Sequence, residues 1–92
     1  MDYDMSKYGS NITSGGDTES IAKEILDLLS KNEGINLDFT CIDLMTTTAA
    51  KEILKPLAVK FGIDNIFKKV HFCNVSEDLK VVISTAIEGL NL

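Results

Sequence analysis

The stretch LDFTCIDLMTTTAAKEIL (residues 37–54) begins like a buried strand and ends like a helix. Three consecutive threonines, Thr46, Thr47 and Thr48, lie where the two patterns meet. β-Branched residues lose side-chain freedom in a helix, so three in a row are a poor choice for helix stability alone. The change of pattern indicates a strand followed by a helix, and the threonines need a separate explanation.

The sequence on both sides repeats this alternation. Apolar residues at helical spacing predict three helices. The first begins at Asp17 or Thr18, whose side chain is expected to cap it, the second spans Thr47–Phe61, and the third follows a Ser76 cap. Strands are predicted within residues 2–8, over residues 35–39 and over residues 70–75. We therefore expect an α/β fold with a small, mostly parallel or mixed β-sheet and three helices.

Length and composition fit one domain over residues 1–92, because 92 residues are too few for two separate cores. Within it, residues 1–16 are expected to form an N-terminal strand and a flexible turn, GSNITSGGD. No apolar run approaches the ~20 residues of a membrane span, and the acidic N-terminus does not resemble a signal peptide. These features predict a cytoplasmic protein without membrane contact.

The charge balance argues against a nucleic-acid partner. The formal net charge is -5, and all nine basic residues are lysines. Binding to phosphates needs clustered cations, and the bidentate fork of arginine is absent from this chain. We therefore expect partners other than nucleic acid.

Three chemical roles are open to the threonines. We expect at least one threonine hydroxyl to cap the second helix by accepting a hydrogen bond from a free backbone amide, although one threonine suffices for that. A hydroxyl at this place can also accept a phosphoryl group, because a helix N-terminus tolerates a dianion. A nucleophilic threonine would need an adjacent base, and the only histidine, His71, lies in a predicted strand without an obvious acid partner.

Residues 35–54 resemble the central segment of the STAS superfamily, the sulfate transporter and anti-sigma factor antagonist domains. In that family a strand ending in leucine-aspartate leads to an aspartate-serine-serine-glycine motif at a helix start. The chain is more similar still to small bacterial STAS-like domains of unknown function. The corresponding pieces here are Tyr8-Gly9, the three threonines and KVHFCNVSEDLK (residues 69–80).

The resemblance implies a role for each threonine. In the antagonists, a partner kinase phosphorylates the second serine of the motif, which aligns with Thr48. Thr47 aligns with the first serine, while Thr46 replaces the aspartate and Ala49 replaces the glycine. The phosphoacceptor candidates are therefore Thr48, Thr47 and Thr46, and the implied partner is a histidine-kinase-like ATPase or an anti-sigma-type kinase.

Other candidate sites receive simpler interpretations. Cys41 and Cys73 are expected to be buried thiols, and with His71 they supply only three ligands for zinc, so we expect neither a metal nor a cofactor. Asp38 and Asp43 lack a histidine or metal for acid–base work. The SGGD turn (residues 14–17) lacks the full P-loop spacing and its lysine, so a plain connection is expected.

Two functional hypotheses follow. The first is a non-catalytic regulatory module, not an enzyme, that binds a protein through the loop of residues 41–48 and the exposed side of the second helix and is switched by threonine phosphorylation. Its expected partner-binding residues are Asp38, Cys41, Asp43 and Met45. The second is a constitutive protein-binding or self-assembly domain in which the threonines only cap the helix, and an exposed sheet edge or the second helix docks a neighbour, which allows a homodimer.

Overall fold

The computed structural model describes residues 1–90 and shows an α/β fold. The strands are β1 (Asp2–Asp4), β2 (Asn11–Ile12), β3 (Ile35–Asp38), β4 (Leu44–Met45) and β5 (Val70–Cys73). The α-helices are α1 (Gly16–Lys31), α2 (Thr47–Phe61), α3 (Ile63–Lys69) and α4 (Glu77–Glu88), and a 3-10 helix spans Met5–Tyr8. The α/β prediction is confirmed, with four α-helices in place of three.

All strand pairs are parallel. One sheet has the order β1-β3-β5, with Leu37 of β3 between Tyr3 of β1 and Phe72 of β5. The short strands β2 and β4 pair as a separate two-stranded sheet, with Ile12 beside Met45. Because the strands are parallel, the chain leaves each strand of the larger sheet at the same end of the sheet. The connection to α2 lies at that end.

The core lies between the larger sheet and the helices. Central α2 packs against α1 on one side and α4 on the other. One cluster of buried apolar side chains joins the inner face of the sheet to these helices; its members include Leu37, Ile25, Leu57 and Ile83. This packing fixes where the first turn of α2 meets the strand ends.

The second helix follows its prediction and the first differs at its start. α2 begins at Thr47 and ends at Gly62, whose φ of 86° is a left-handed value that suits glycine. The N-cap of α1 is Gly15, which has no side-chain hydrogen bond, so the capping role expected of Asp17 or Thr18 is wrong. Both residues lie inside the first turn of α1.

Four elements escaped the sequence analysis: the 3-10 helix, which lies inside the segment predicted to hold the first strand, and α3, β2 and β4. The helix α3 has only seven residues and one buried side chain, Ile66, so it shows no clear apolar period. The strands β2 and β4 have two residues each, and Ile12 of β2 is buried within the segment expected to be a flexible turn. Within residues 1–90, none of the helices has the length and apolar character needed to cross a membrane.

Candidate functional site

The connection between β3 and α2 (residues 39–46, called the β3–α2 connection) carries most of the predicted site residues. Phe39 and Ile42 anchor it, because both side chains are buried and the Ile42 amide donates a 3.1 Å hydrogen bond to the Phe39 carbonyl. The Asp43 amide donates to the carbonyl of Ser10, at 2.8 Å, just before β2. The connection is therefore fixed to the core by two buried side chains and to the segment before β2 by one backbone hydrogen bond, while the side chains of Cys41 and Asp43 stay exposed.

Asp38 links the ends of two neighbouring strands. Its Oδ1 accepts a 3.0 Å hydrogen bond from the Thr40 amide, a second from the Thr40 hydroxyl and a third, 3.0 Å long, from Nδ2 of Asn74. Asn74 follows β5 in a left-handed conformation with a φ of 57°. The Thr40 hydroxyl, then Asn74 and the Thr40 amide, lower the pKa of Asp38, so the carboxylate is a fixed negative charge at this edge.

Thr46 caps α2. Its Oγ1 accepts a 3.1 Å hydrogen bond from the Ala49 amide, and its φ and ψ of -76° and 155° are those of an extended residue that precedes a helix. The Thr46 amide donates to the Ile12 carbonyl of β2, at 3.1 Å. The prediction that at least one threonine caps this helix is confirmed, and the capping residue is Thr46.

Thr47 and Thr48 occupy the first turn of α2 without a capping role. The Thr47 side chain is half-buried and that of Thr48 is exposed. Within residues 1–90, the Thr48 hydroxyl has no hydrogen-bond partner, so it faces solvent. Of the three predicted phosphoacceptors, Thr48 is therefore the most accessible, and Thr46 has its oxygen engaged in the cap.

Met45 does not lie on the surface, so its predicted partner-binding role is wrong. The pairing of β2 with β4 places Met45 beside Ile12, and Met45 is only 3% exposed. Neighbouring side chains of a strand point to opposite faces, so Leu44 faces outward and is 50% exposed. The exposed apolar residue of this strand is therefore Leu44, which the sequence analysis missed, because a strand of two residues is too short to reveal which one faces outward.

The cysteines differ from their expected burial. Cys41 is exposed and Cys73 is half-buried, and both are free thiols. Cys41 lies in the turn after Phe39 rather than in a strand, which explains its exposure. Over residues 1–90, no group of three or more histidine, cysteine, aspartate or glutamate side chains is placed to hold a metal ion.

The SGGD turn contacts a carboxylate of α2. Oε2 of Glu52 accepts a 2.8 Å hydrogen bond from the Ser14 hydroxyl, and Oε1 accepts from the Gly15 amide and the Thr18 hydroxyl, at 3.3 and 2.8 Å. Thr18, Ser14 and Gly15 lower the pKa of Glu52. The Gly15 amide, which a bound phosphate would need, already donates to the Glu52 carboxylate. These hydrogen bonds link the start of α1 to the side of α2.

Comparison with models of known protein families, with curated proteins and with solved structures found no significant match to this chain.

The hydrogen bonds to Asp38 predict acid sensitivity. Its folded pKa is lowered from an unfolded value of about 3.9, so its contribution to stability is complete above that value and is lost as the pH falls through the folded pKa. Urea unfolding between about pH 6 and pH 2.5 should show this decline, and Asp38→Asn should make it shallower. Asp43→Asn is the control, because the Asp43 carboxylate accepts no hydrogen bond from residues 1–90; an equal flattening in both variants would contradict the prediction.

Proposed function

We propose that this chain is a non-catalytic regulatory module of the STAS-like type, which binds a protein partner through the β3–α2 connection and the first turn of α2. Phosphorylation of Thr48 would switch that binding. The observation that carries the proposal is the exposed Thr48 hydroxyl, which has no role in capping and lies in the helix turn that follows exposed Leu44.

The three threonines have different structural roles, and this difference supports a phosphorylation switch. Thr46 alone supplies the cap, so helix stability does not require a hydroxyl at Thr48. A phosphate on Thr48 would lie at the second residue of α2, near free amides and the positive end of the helix dipole. The folded state therefore tolerates the modification, and the new charge would change the affinity for a protein that contacts this surface rather than the stability of the fold.

The surroundings of Thr48 suit a protein contact. Leu44 offers an exposed apolar side chain, and Cys41 and Asp43 lie exposed on the same connection. Asp38 fixes the neighbouring strand ends through Thr40 and Asn74, which limits the motion of the connection before binding. An apolar contact rimmed by polar groups is the usual composition of a protein interface. By resemblance, the partner is a histidine-kinase-like ATPase or an anti-sigma-type kinase.

The test compares variants of Thr48 for binding to the cognate kinase, together with mass spectrometry of protein co-expressed with it. We expect phosphorylation at Thr48, and we expect Thr48→Glu to weaken binding about tenfold or more because it places a negative charge in the interface. Thr48→Glu should leave the free energy of unfolding unchanged or slightly raise it, since a carboxylate favours this end of the helix.

Thr46→Ala is the matched control. It removes the cap and should lower the free energy of unfolding by about 1 kcal/mol, but it adds no charge to the surface, so binding per folded molecule should fall far less than in Thr48→Glu. The switch is refuted if residues 46–48 are never modified and Thr48→Glu binds every partner as the unmodified protein does. A constitutive binding domain is the second candidate, and exposed Leu44 favours it: Leu44→Asp would then abolish binding while Thr48→Glu binds normally.

A further inference from the structure

The larger sheet has an outward face whose composition differs from the rest of the surface. The parallel register aligns Asp2, Asn36 and His71 in one row and Asp4, Asp38 and Cys73 in the next. Side chains paired in this way point to the same face. These six side chains are exposed or half-buried, whereas Tyr3, Leu37 and Val70, on the opposite face, are buried beneath the helices. We call the six the open face.

The open face holds most of the uncompensated charge of the molecule. The helices, including the 3-10 helix, contain all nine lysines and nine of the fourteen carboxylates, so together they are formally neutral. The five remaining carboxylates account for the net charge of -5. Three of them, Asp2, Asp4 and Asp38, lie on the open face, which carries no lysine.

A second surface has the opposite charge. The helices α2 and α3 contain five lysines but only two carboxylates, Glu52 and Asp64. The Glu52 carboxylate is bound by Ser14, Gly15 and Thr18. The exposed lysines include Lys55, Lys60 and Lys68, and the exposed apolar side chains Val59 and Phe67 lie on the same two helices. We call this exposed part of α2 and α3 the cationic surface.

Neither surface is neutralised within one molecule. All four ion pairs among residues 1–90 use other lysines, and their carboxylates all belong to α1 or α4; the pairs are Lys7–Glu24, Lys23–Glu19, Lys31–Asp27 and Lys80–Glu77. The carboxylates of the open face and the lysines of the cationic surface therefore stay available for an opposite charge from outside.

We infer that the open face of one copy docks against the cationic surface of a second copy. Contact between two open faces would oppose like charges, so the contact joins unlike surfaces, and a pair of copies keeps one open face and one cationic surface unoccupied. Such a head-to-tail contact binds further copies and forms an extending chain unless its geometry closes a ring. The apolar Val59 and Phe67 would contribute the dehydrated part of the contact.

This inference is separate from the proposed phosphorylation switch. The docking uses the outer sides of the sheet and of α2 and α3, whereas the switch uses the β3–α2 connection and Thr48. Asp38 belongs to the open face and also holds that connection through Thr40 and Asn74. A monomer whose kinase binding responds to Thr48→Glu would refute the self-docking alone. A chain that assembles, but whose kinase binding ignores Thr48→Glu and whose residues 46–48 are never modified, would refute the switch alone.

Sedimentation equilibrium of the full chain tests the contact. At about 0.05 M salt, the weight-average mass should rise continuously above 10.1 kDa as the concentration increases from about 10 μM to 1 mM. At about 0.5 M salt, the association constant should fall about tenfold or more, because the contact is largely electrostatic. A mass that stays at the monomer value in low salt overturns the inference.

Two variants locate the contact. The sheet variant, D2N/D4N/D38N, removes the charge of the open face, and the helix variant, K55E/K60E/K68E, reverses the cationic surface. Each should be monomeric alone, with the helical circular dichroism signal retained. An equimolar mixture should form a one-to-one dimer and no larger species, since each variant keeps one intact surface.

The control variant, E19Q/D27N/E77Q, removes the same net charge from the helices. The sheet and control variants are both closer to neutrality than the original chain, and a general effect of net charge would make both associate more strongly. We expect loss of assembly only in the sheet variant. Equal behaviour of these two variants, or a mixture that fails to form the dimer, overturns the inference.

Discussion

Leu57→Ala is expected to lower the free energy of unfolding by about 2–5 kcal/mol. Leu57 is fully buried in α2, the helix that packs against both α1 and α4, so its removal leaves a cavity between several elements at once. Because a small domain has a total stability of only about 5–15 kcal/mol, this variant should be partly unfolded at modest urea concentrations. The measurement is urea unfolding followed by circular dichroism.

Val59→Ala is the matched control for Leu57→Ala. It removes a similar amount of apolar side chain from the same helix, but Val59 is 67% exposed. Its effect should stay within about 0.5 kcal/mol, because an exposed site loses little packing and alanine is the better helix former. Equal effects of the two substitutions on the free energy of unfolding would show that α2 does not bury Leu57 while exposing Val59.

Phe39→Ala is expected to cost about 3–5 kcal/mol and to loosen the β3–α2 connection. Phe39 is buried at the start of that connection, and its ring lies 6.2 Å from the ring of Phe72 in β5, centroid to centroid. Its amide also donates a 3.0 Å hydrogen bond to the Cys73 carbonyl. The side chain therefore supports both the core and the surface proposed to bind a partner.

Two measurements separate the effects of Phe39→Ala. Urea unfolding gives the loss of stability, and hydrogen exchange gives the protection of the Ile42 amide, which donates to the Phe39 carbonyl. Phe39→Leu should lose less stability and retain most of the protection. Phe67→Ala, at a phenylalanine that is 50% exposed, is the control and should change neither quantity by much. Unchanged protection of Ile42 in Phe39→Ala would contradict the anchoring role of Phe39.

The long elements were predictable because their signals are local and repeated. The pattern of apolar residues gave the bounds of α2 as Thr47–Phe61, and Ser76 caps α4 by accepting a 3.2 Å hydrogen bond from the Leu79 amide, as expected. In both helices a cap precedes several turns of regular spacing. The α/β class follows from the alternation of strands and helices along the chain. The seven residues of α3 were too few to show a helical period of apolar side chains.

The surface of the site was less predictable because it depends on contacts between distant segments. The burial of Met45 follows from its pairing with Ile12, and the hydrogen bond from Asn74 to Asp38 joins residues 36 positions apart. The links of Glu52 to Ser14 and Thr18 are likewise long-range. A single sequence carries no direct signal for such pairs. The position of the threonines at the start of α2 could be predicted, because it depends mainly on the apolar pattern of that helix alone.

The all-parallel pairing has a consequence for how the chain reaches its native state. Each strand partner lies more than thirty residues away: Asp2 pairs with Asn36, Asn11 with Leu44 and Ile35 with Val70. No hairpin can therefore form early and serve as a template for the larger sheet. Closing such loops is entropically costly before the strands meet, so we expect this chain to fold more slowly than a helical bundle of equal length.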